Sequence, residues 1–171
     1  MKKFKVLISI CAFLFVCILC TEVFAFPPSG STLYDGIDVS EWQGEIDWER
    51  VIDSGIRIAY IRASEGSNYI DPDAMRNYYG AKENGIKVGF YHYLTARNEA
   101  EALEQAEFFV SVVKGLDIDC RLAMDFESFG GLGTAEINSI SETFLEEVER
   151  LSGKEVIIYS DAYNAAYTFS A

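Results

Sequence analysis

Asp125 and Glu127 stand two residues apart in Ala123-Met124-Asp125-Phe126-Glu127-Ser128, where the residues around them are mostly apolar. A strand sends side chains i and i+2 from one face, so the two carboxyls are expected to project together from a buried strand. Like charges held that close push one pKa upward. A proton-holding acid beside an ionised partner is the arrangement that cleavage of a glycosidic bond needs. The competing reading of the same residues is structural: two acids that end a strand and cap the loop after it.

The elements that must position this pair follow from periodicity. Short apolar runs alternate with helical patterns, giving strands near Gly36 to Val39, Ile56 to Ile61, Lys87 to Tyr91, Arg121 to Phe126 and Glu155 to Tyr159. Helices are expected near Asp47 to Asp53, Pro72 to Glu83, Glu99 to Val113 and Ala135 to Leu151. Gly55, Gly85, Gly115 and Gly153 follow helices, and Asp47, Asp71, Asn98 and Thr134 sit near helix starts. Strand and helix in strict alternation mean a parallel sheet. The fold class is therefore α/β.

In parallel α/β folds the working end lies beyond the carboxyl ends of the strands. Those ends carry Asp38, Glu65, then Tyr91, His92 and Tyr93, then Asp125 and Glu127, then Tyr159 and Asp161. Acids and aromatics at one rim suit a carbohydrate, whose hydroxyls bond to carboxylates and whose rings stack on aromatic faces. The structural alternative makes Asp38 and Asp161 caps and the tyrosines edge packing. Another chemistry remains open: Asp38, Glu65, Asp125 and Asp161 as oxygen ligands of Mg²⁺ or Ca²⁺ in a metal-dependent hydrolase.

The start of the chain has a different character. Lys2, Lys3 and Lys5 precede an apolar run from Val6 to Cys20, and Val23-Phe24-Ala25 offers a small residue for cleavage. Residues 1–25 are expected to be a secretory signal peptide, with 26–34 a Pro- and Gly-containing linker and 35–171 the folded domain. An uncleaved anchor and a lipoprotein signal at Cys20 are the competitors, and the leader would be the only route to a membrane. Cys11, Cys17 and Cys20 lie in the leader, which leaves Cys120 alone in the mature part with no disulfide to form. Roughly 140 residues are long enough to rest on a hydrophobic core instead. One histidine, His92, gives little support to a His-rich zinc site.

The chain has a formal net charge of −13 at pH 7. Removal of a leader that carries three lysines and one glutamate would make that about −15. Such a surface repels phosphate backbones and argues against nucleic acid or anionic membrane as partner. A neutral polysaccharide is permitted.

The motifs together resemble glycoside hydrolase family 25. They are Gly36-Ile37-Asp38-Val39-Ser40-Glu41-Trp42-Gln43-Gly44, Ile46-Asp47-Trp48, Tyr60-Ile61-Arg62-Ala63-Ser64-Glu65-Gly66, Gly89-Phe90-Tyr91-His92-Tyr93 and Met124-Asp125-Phe126-Glu127. The resemblance runs from about Gly36 to Asn164. It implies a secreted, cell-wall-associated lysozyme of bacterial peptidoglycan that cuts the β-1,4 bond between N-acetylmuramic acid and N-acetylglucosamine. It implies Glu127 as general acid, and Asp125 as stabiliser of the positive transition state, acting directly or by orienting the substrate's N-acetyl group. Asp38 would lie on the active-site floor, with Glu65, Tyr91 and Tyr93 where substrate contacts fall and with no metal and no cofactor; Tyr159 and Asp161 join them as substrate-binding candidates by their place on the same rim.

The family fold is an irregular, TIM-like β/α barrel of eight strands. This chain carries about the first five β/α units and reaches Ala171 without the later family motifs, so a truncated domain is expected. A non-catalytic product that only binds cell-wall glycan is the alternative function.

Overall fold

The computed structural model describes residues 32–169, and the leader assigned to 1–25 and most of the linker lie outside them. The described chain alternates strand and helix. The elements are β1 (Gly36–Val39), a 3-10 turn (Glu41–Gln43), α1 (Trp48–Asp53), β2 (Ile58–Glu65), β3 (Tyr69–Ile70), α2 (Ala74–Glu83) and β4 (Lys87–Tyr93). They continue with α3 (Glu99–Val113), β5 (Leu122–Asp125), α4 (Thr134–Ser152), β6 (Val156–Tyr159) and α5 (Ala162–Tyr167). The sheet order is β1-β2-β4-β5-β6, and those four pairings are all parallel. The two-residue β3 pairs antiparallel with the end of β2 and forms a spur there. Among the described residues β1 and β6 are the two edges of an open sheet.

Helix boundaries have local causes. The Asn98 side chain accepts the Glu101 backbone N–H at 3.0 Å to open α3, and that of Asp47 accepts Arg50 N–H at 3.1 Å to open α1. Gly153 ends α4 in the left-handed region at φ 68, which a side chain would resist. Thr134 and Asp71 also stand at helix starts: Thr134 is the first residue of α4, with Gly133 at the cap position, and Asp71 Oδ1 accepts the Asp73 backbone N–H at 2.9 Å just before α2 while its Oδ2 pairs with Arg62.

One face of the sheet carries the core. Ala59, Ile61, Val88, Phe90, Leu122 and Met124 point towards the helices, which return Ala102, Ala106 and Phe109 from α3 and Ile137, Ile140 and Phe144 from α4. These recur every three to four residues, so each helix turns one apolar stripe to the sheet. His92 is buried in this layer, its ring 5.3 Å from that of Phe144 and 5.5 Å from that of Phe109. Burial pushes its pKa down to about 4, and Ser64 Oγ lies 2.9 Å from Nδ1. His92 is thus a neutral core group, not part of the rim. Cys120 is half-buried, and the described residues give it no cysteine partner.

The opposite face of the sheet is shaped by one close approach. Tyr60 on β2 lies directly across from Gly89 on β4, and a Cβ at Gly89 would stand 2.5 Å from the Tyr60 ring. Gly89→Ala must therefore displace that ring or spread the two central strands. It is expected to lower stability by about 1–3 kcal/mol in urea unfolding, and an unchanged midpoint would contradict the packing described.

Candidate active site

Alternation along the strands decides which side chains meet on the face away from the helices. A cleft of about 500 Å³ runs along that face, lined by Tyr34, Gly36, Ile58, Tyr60 and Ala123 towards one end and Asp38, Tyr91, Asp125, Glu127 and Tyr159 towards the other. The first group belongs to the starts and middles of the strands and is mostly apolar. The second lies at or just past their carboxyl ends, so the acids gather where a parallel sheet places its working end.

Asp125 closes β5 and is only 8% exposed. Its Oδ1 is buried and has no hydrogen-bond partner among the described residues. Burial first, then the negative charges of Glu127 and Asp38, push its pKa up to about 7, against a smaller opposing pull from Arg62. A buried carboxyl without donors resists ionisation, and two neighbouring acids strengthen that resistance. Near neutrality this acidic cluster therefore holds a proton, centred on Asp125.

Glu127 does not occupy a strand. β5 stops at Asp125, Phe126 turns into the core, and Glu127 is exposed in the following loop, where it still lines the cleft. The expected i, i+2 geometry of one buried strand is thus replaced by a buried acid and a solvent-facing acid that share a rim. The Phe126 ring, 5.1 Å from that of Phe129, anchors the exit.

The remaining rim residues divide. Tyr91 and Tyr159 line the cleft with the acids, and burial foremost raises the pKa of both phenols. Burial, and after it the charges of Asp125, Glu127 and Glu65, raise the pKa of Tyr93. Glu65 does not join the cleft lining and lies 3.4 Å from Arg62 Nη1. Asp161 is also outside it and caps α5, accepting the Asn164 backbone N–H at 2.9 Å, as the structural alternative holds. The four acids offered as metal ligands are thus not assembled. Among the described residues no group of three or more His, Cys, Asp or Glu is placed to hold a metal ion.

Sequence reasoning missed the cation behind this rim. Arg62 is buried on β2, where its guanidinium reaches Asp71 at 2.8 Å, Glu41 at 2.9 Å and Glu65 at 3.4 Å. It pairs in register with Tyr91, and its field opposes the rise at Asp125. The signal was present: Arg62 shares the alternation of Tyr60 within an apolar strand, and a buried arginine requires a carboxylate nearby. Asp71 meets that need. The register between β2 and β4 slips between Arg62 and Ser64, so that Arg62 serves the rim while Ser64 turns to His92.

Comparison with known proteins gives the same picture on a larger scale. The sequence model of glycosyl hydrolases family 25 matches residues 37–168. The Escherichia coli protein YegX is 39% identical over 140 residues, covering 79% of this chain and 50% of YegX. The autolytic lysozyme of Clostridium acetobutylicum is 37% identical over 125 residues, covering 73% of this chain and 37% of that protein. The crystal structure of the bacterial lysozyme of Streptomyces coelicolor superposes with a TM-score of 0.67 at 32% identity, covering 80% of this chain and 67% of the other. The chain spans half or less of the length of these curated relatives.

Two consequences of the acid cluster are measurable. In Glu127→Gln one of the charges that raise the Asp125 pKa is gone, so the Asp125 titration followed by carboxyl ¹³C NMR is expected to fall below about 7. A midpoint that stays put would place Glu127 out of range. Stability carries the second. The folded-state pKa lies above the ordinary 3.8, so the folded protein keeps a proton that the unfolded chain loses, and the stabilising contribution declines as pH rises from about 4 to about 7. Asp125→Asn removes that decline. The melting temperature of the variant relative to the wild type is expected to be higher at pH 8 than at pH 4, and an equal difference at both would contradict the burial cost.

Proposed function

The chain belongs to glycosyl hydrolases family 25, and on that premise we propose that its protein is a secreted lysozyme that hydrolyses peptidoglycan glycan strands at the β-1,4 bond between N-acetylmuramic acid and N-acetylglucosamine. The observation that carries this reading is the unpartnered, buried Asp125 carboxyl beside exposed Glu127 at the acidic end of the cleft. The basic and apolar leader supports export to the cell wall.

The chemistry follows from moving one proton. In the free protein the cluster's proton rests on Asp125, where burial and two like charges favour the neutral acid. A muramic acid residue that enters the cleft presents an acetamido N–H, the donor that Asp125 Oδ1 lacks. Accepting that hydrogen bond favours the ionised form of Asp125 and leaves the proton to Glu127. Glu127 then donates it to the leaving glycosidic oxygen as the C1–O bond breaks. Positive charge that develops at C1, or on the substrate's own acetamido group, faces Asp125 and Asp38. A water molecule completes the step, its hydroxyl going to C1 and its proton returning to the acid pair. Tyr91 and Tyr159 offer ring faces to the sugars.

Reducing-end release from peptidoglycan tests these roles. Glu127→Gln is expected to lower kcat by about 10²- to 10⁴-fold with the fold retained. The wild-type rate is expected to fall as pH rises through about 7, where the cluster loses the proton that the leaving group needs. Unchanged turnover in Glu127→Gln, or a rate that keeps rising above pH 8, would overturn the assignment.

A further inference from the structure

Trp42 is 79% exposed, yet the 3-10 turn that carries it is held from several sides. Ser40 and Gln43 close a capping box across the turn, with Ser40 N–H donating to Gln43 Oε1 at 2.7 Å. The Glu41 backbone N–H donates to Asp71 Oδ2 at 3.0 Å. The Glu41 carboxylate accepts from Arg62 at 2.9 Å and from the Tyr69 hydroxyl at 2.6 Å. A large ring left in water on a flexible loop needs no explanation. Here three side chains, Ser40, Gln43 and Asp71, bond the backbone of the turn, and Arg62 and Tyr69 hold its Glu41 side chain, while the central Trp42 side chain makes no use of that rigidity inside the fold.

The same bonds tie the turn to the cleft. The turn begins two residues after β1, the strand that places Asp38 in the cleft, and Arg62 is the register partner of Tyr91. On the outer side, the Tyr69 ring lies 5.7 Å from the Arg62 guanidinium, and Ile70 beside it is exposed. Trp42, Tyr69 and Ile70 thus form an exposed apolar ledge joined through Glu41, on a mounting whose arginine is the register partner of cleft-lining Tyr91. Arg62 is already surrounded by Asp71, Glu41 and Glu65, and Arg76, which donates to Gly44 O at 2.8 Å just after the turn, pairs with Asp73, so the ledge offers a ring face and hydrogen-bonding carboxylates to a neutral sugar and both nearby cations are already matched by acids.

We infer that Trp42 and Tyr69 form an outlying glycan subsite, in which a pyranose ring of the same strand stacks on Trp42 while its neighbour sits at the acid pair. This rests on the glycan-cleaving reading above. Rigid mounting keeps the conformational cost of stacking low, because the ring is preorganised before the strand arrives.

The full chain carrying Glu127→Gln, titrated with soluble uncrosslinked peptidoglycan strands, tests the subsite without turnover. Trp48 is buried against Gly80, so a blue shift of tryptophan emission on binding reports Trp42. That shift is expected, together with a Kd weakened about three- to tenfold by Trp42→Ala and nearly restored by Trp42→Phe. In the otherwise wild-type chain the loss falls on KM rather than kcat. Tyr79→Ala, which removes an exposed ring on α2, leaves Kd unchanged. Strands that bind with an unmoved emission and a Trp42→Ala Kd equal to the parent's would overturn the subsite while the lysozyme reading stands. No binding by Glu127→Gln and no cleavage by the wild type would overturn both.

Discussion

The site rests on one unfavourable arrangement, the burial of the Asp125 carboxyl without a hydrogen-bond donor next to two other acids. Nothing local stabilises it. It persists because β5 is fixed on both sides by parallel partners and because Leu122, Met124 and Phe126 are drawn into the helix layer, which forces the alternate residues Ala123 and Asp125 to the other face. The apolar side of the sheet thus holds an acid where water would not leave it neutral. Proton retention near neutrality is the chemical product of that packing.

Charge compensation is kept at arm's length from the acid. Arg62 is the cation nearest in register to the cleft, and three carboxylates share it. A lysine-like free cation beside Asp125 would pull its pKa back to the ordinary range and remove the proton. By pairing with Asp71 and Glu41 instead, Arg62 rigidifies the rim while contributing only a modest opposing field. The Arg62 network thus holds the turn that carries Trp42 while leaving Asp125 its proton.

Much of this was legible from residue types. The alternation of apolar runs with helical stripes predicts the parallel sheet, and Gly153 and Asn98 mark ends that the backbone confirms. Asp38, Tyr91, Asp125, Glu127 and Tyr159 do meet in one cleft, because strand ends in such a sheet share a rim. Glu65 and Asp161 do not, since an adjacent arginine and an adjacent helix start claim them first. The D-x-E spacing misleads in one respect: period-two geometry holds only while the strand lasts, and β5 ends at its first acid. The β3 spur and the Arg62 network escaped because both depend on contacts between residues far apart in sequence, which periodicity does not carry.

The central claim is that these acids act on the muramic acid linkage of peptidoglycan. The most direct measurement is the chemistry of the ends produced: digest purified peptidoglycan with the protein, reduce with borohydride, and identify the terminal sugars by mass spectrometry. The account predicts new reducing ends that are N-acetylmuramic acid, recovered as the muramitol derivative. New ends that are N-acetylglucosamine, or anhydro sugars with no reducible group, would contradict it.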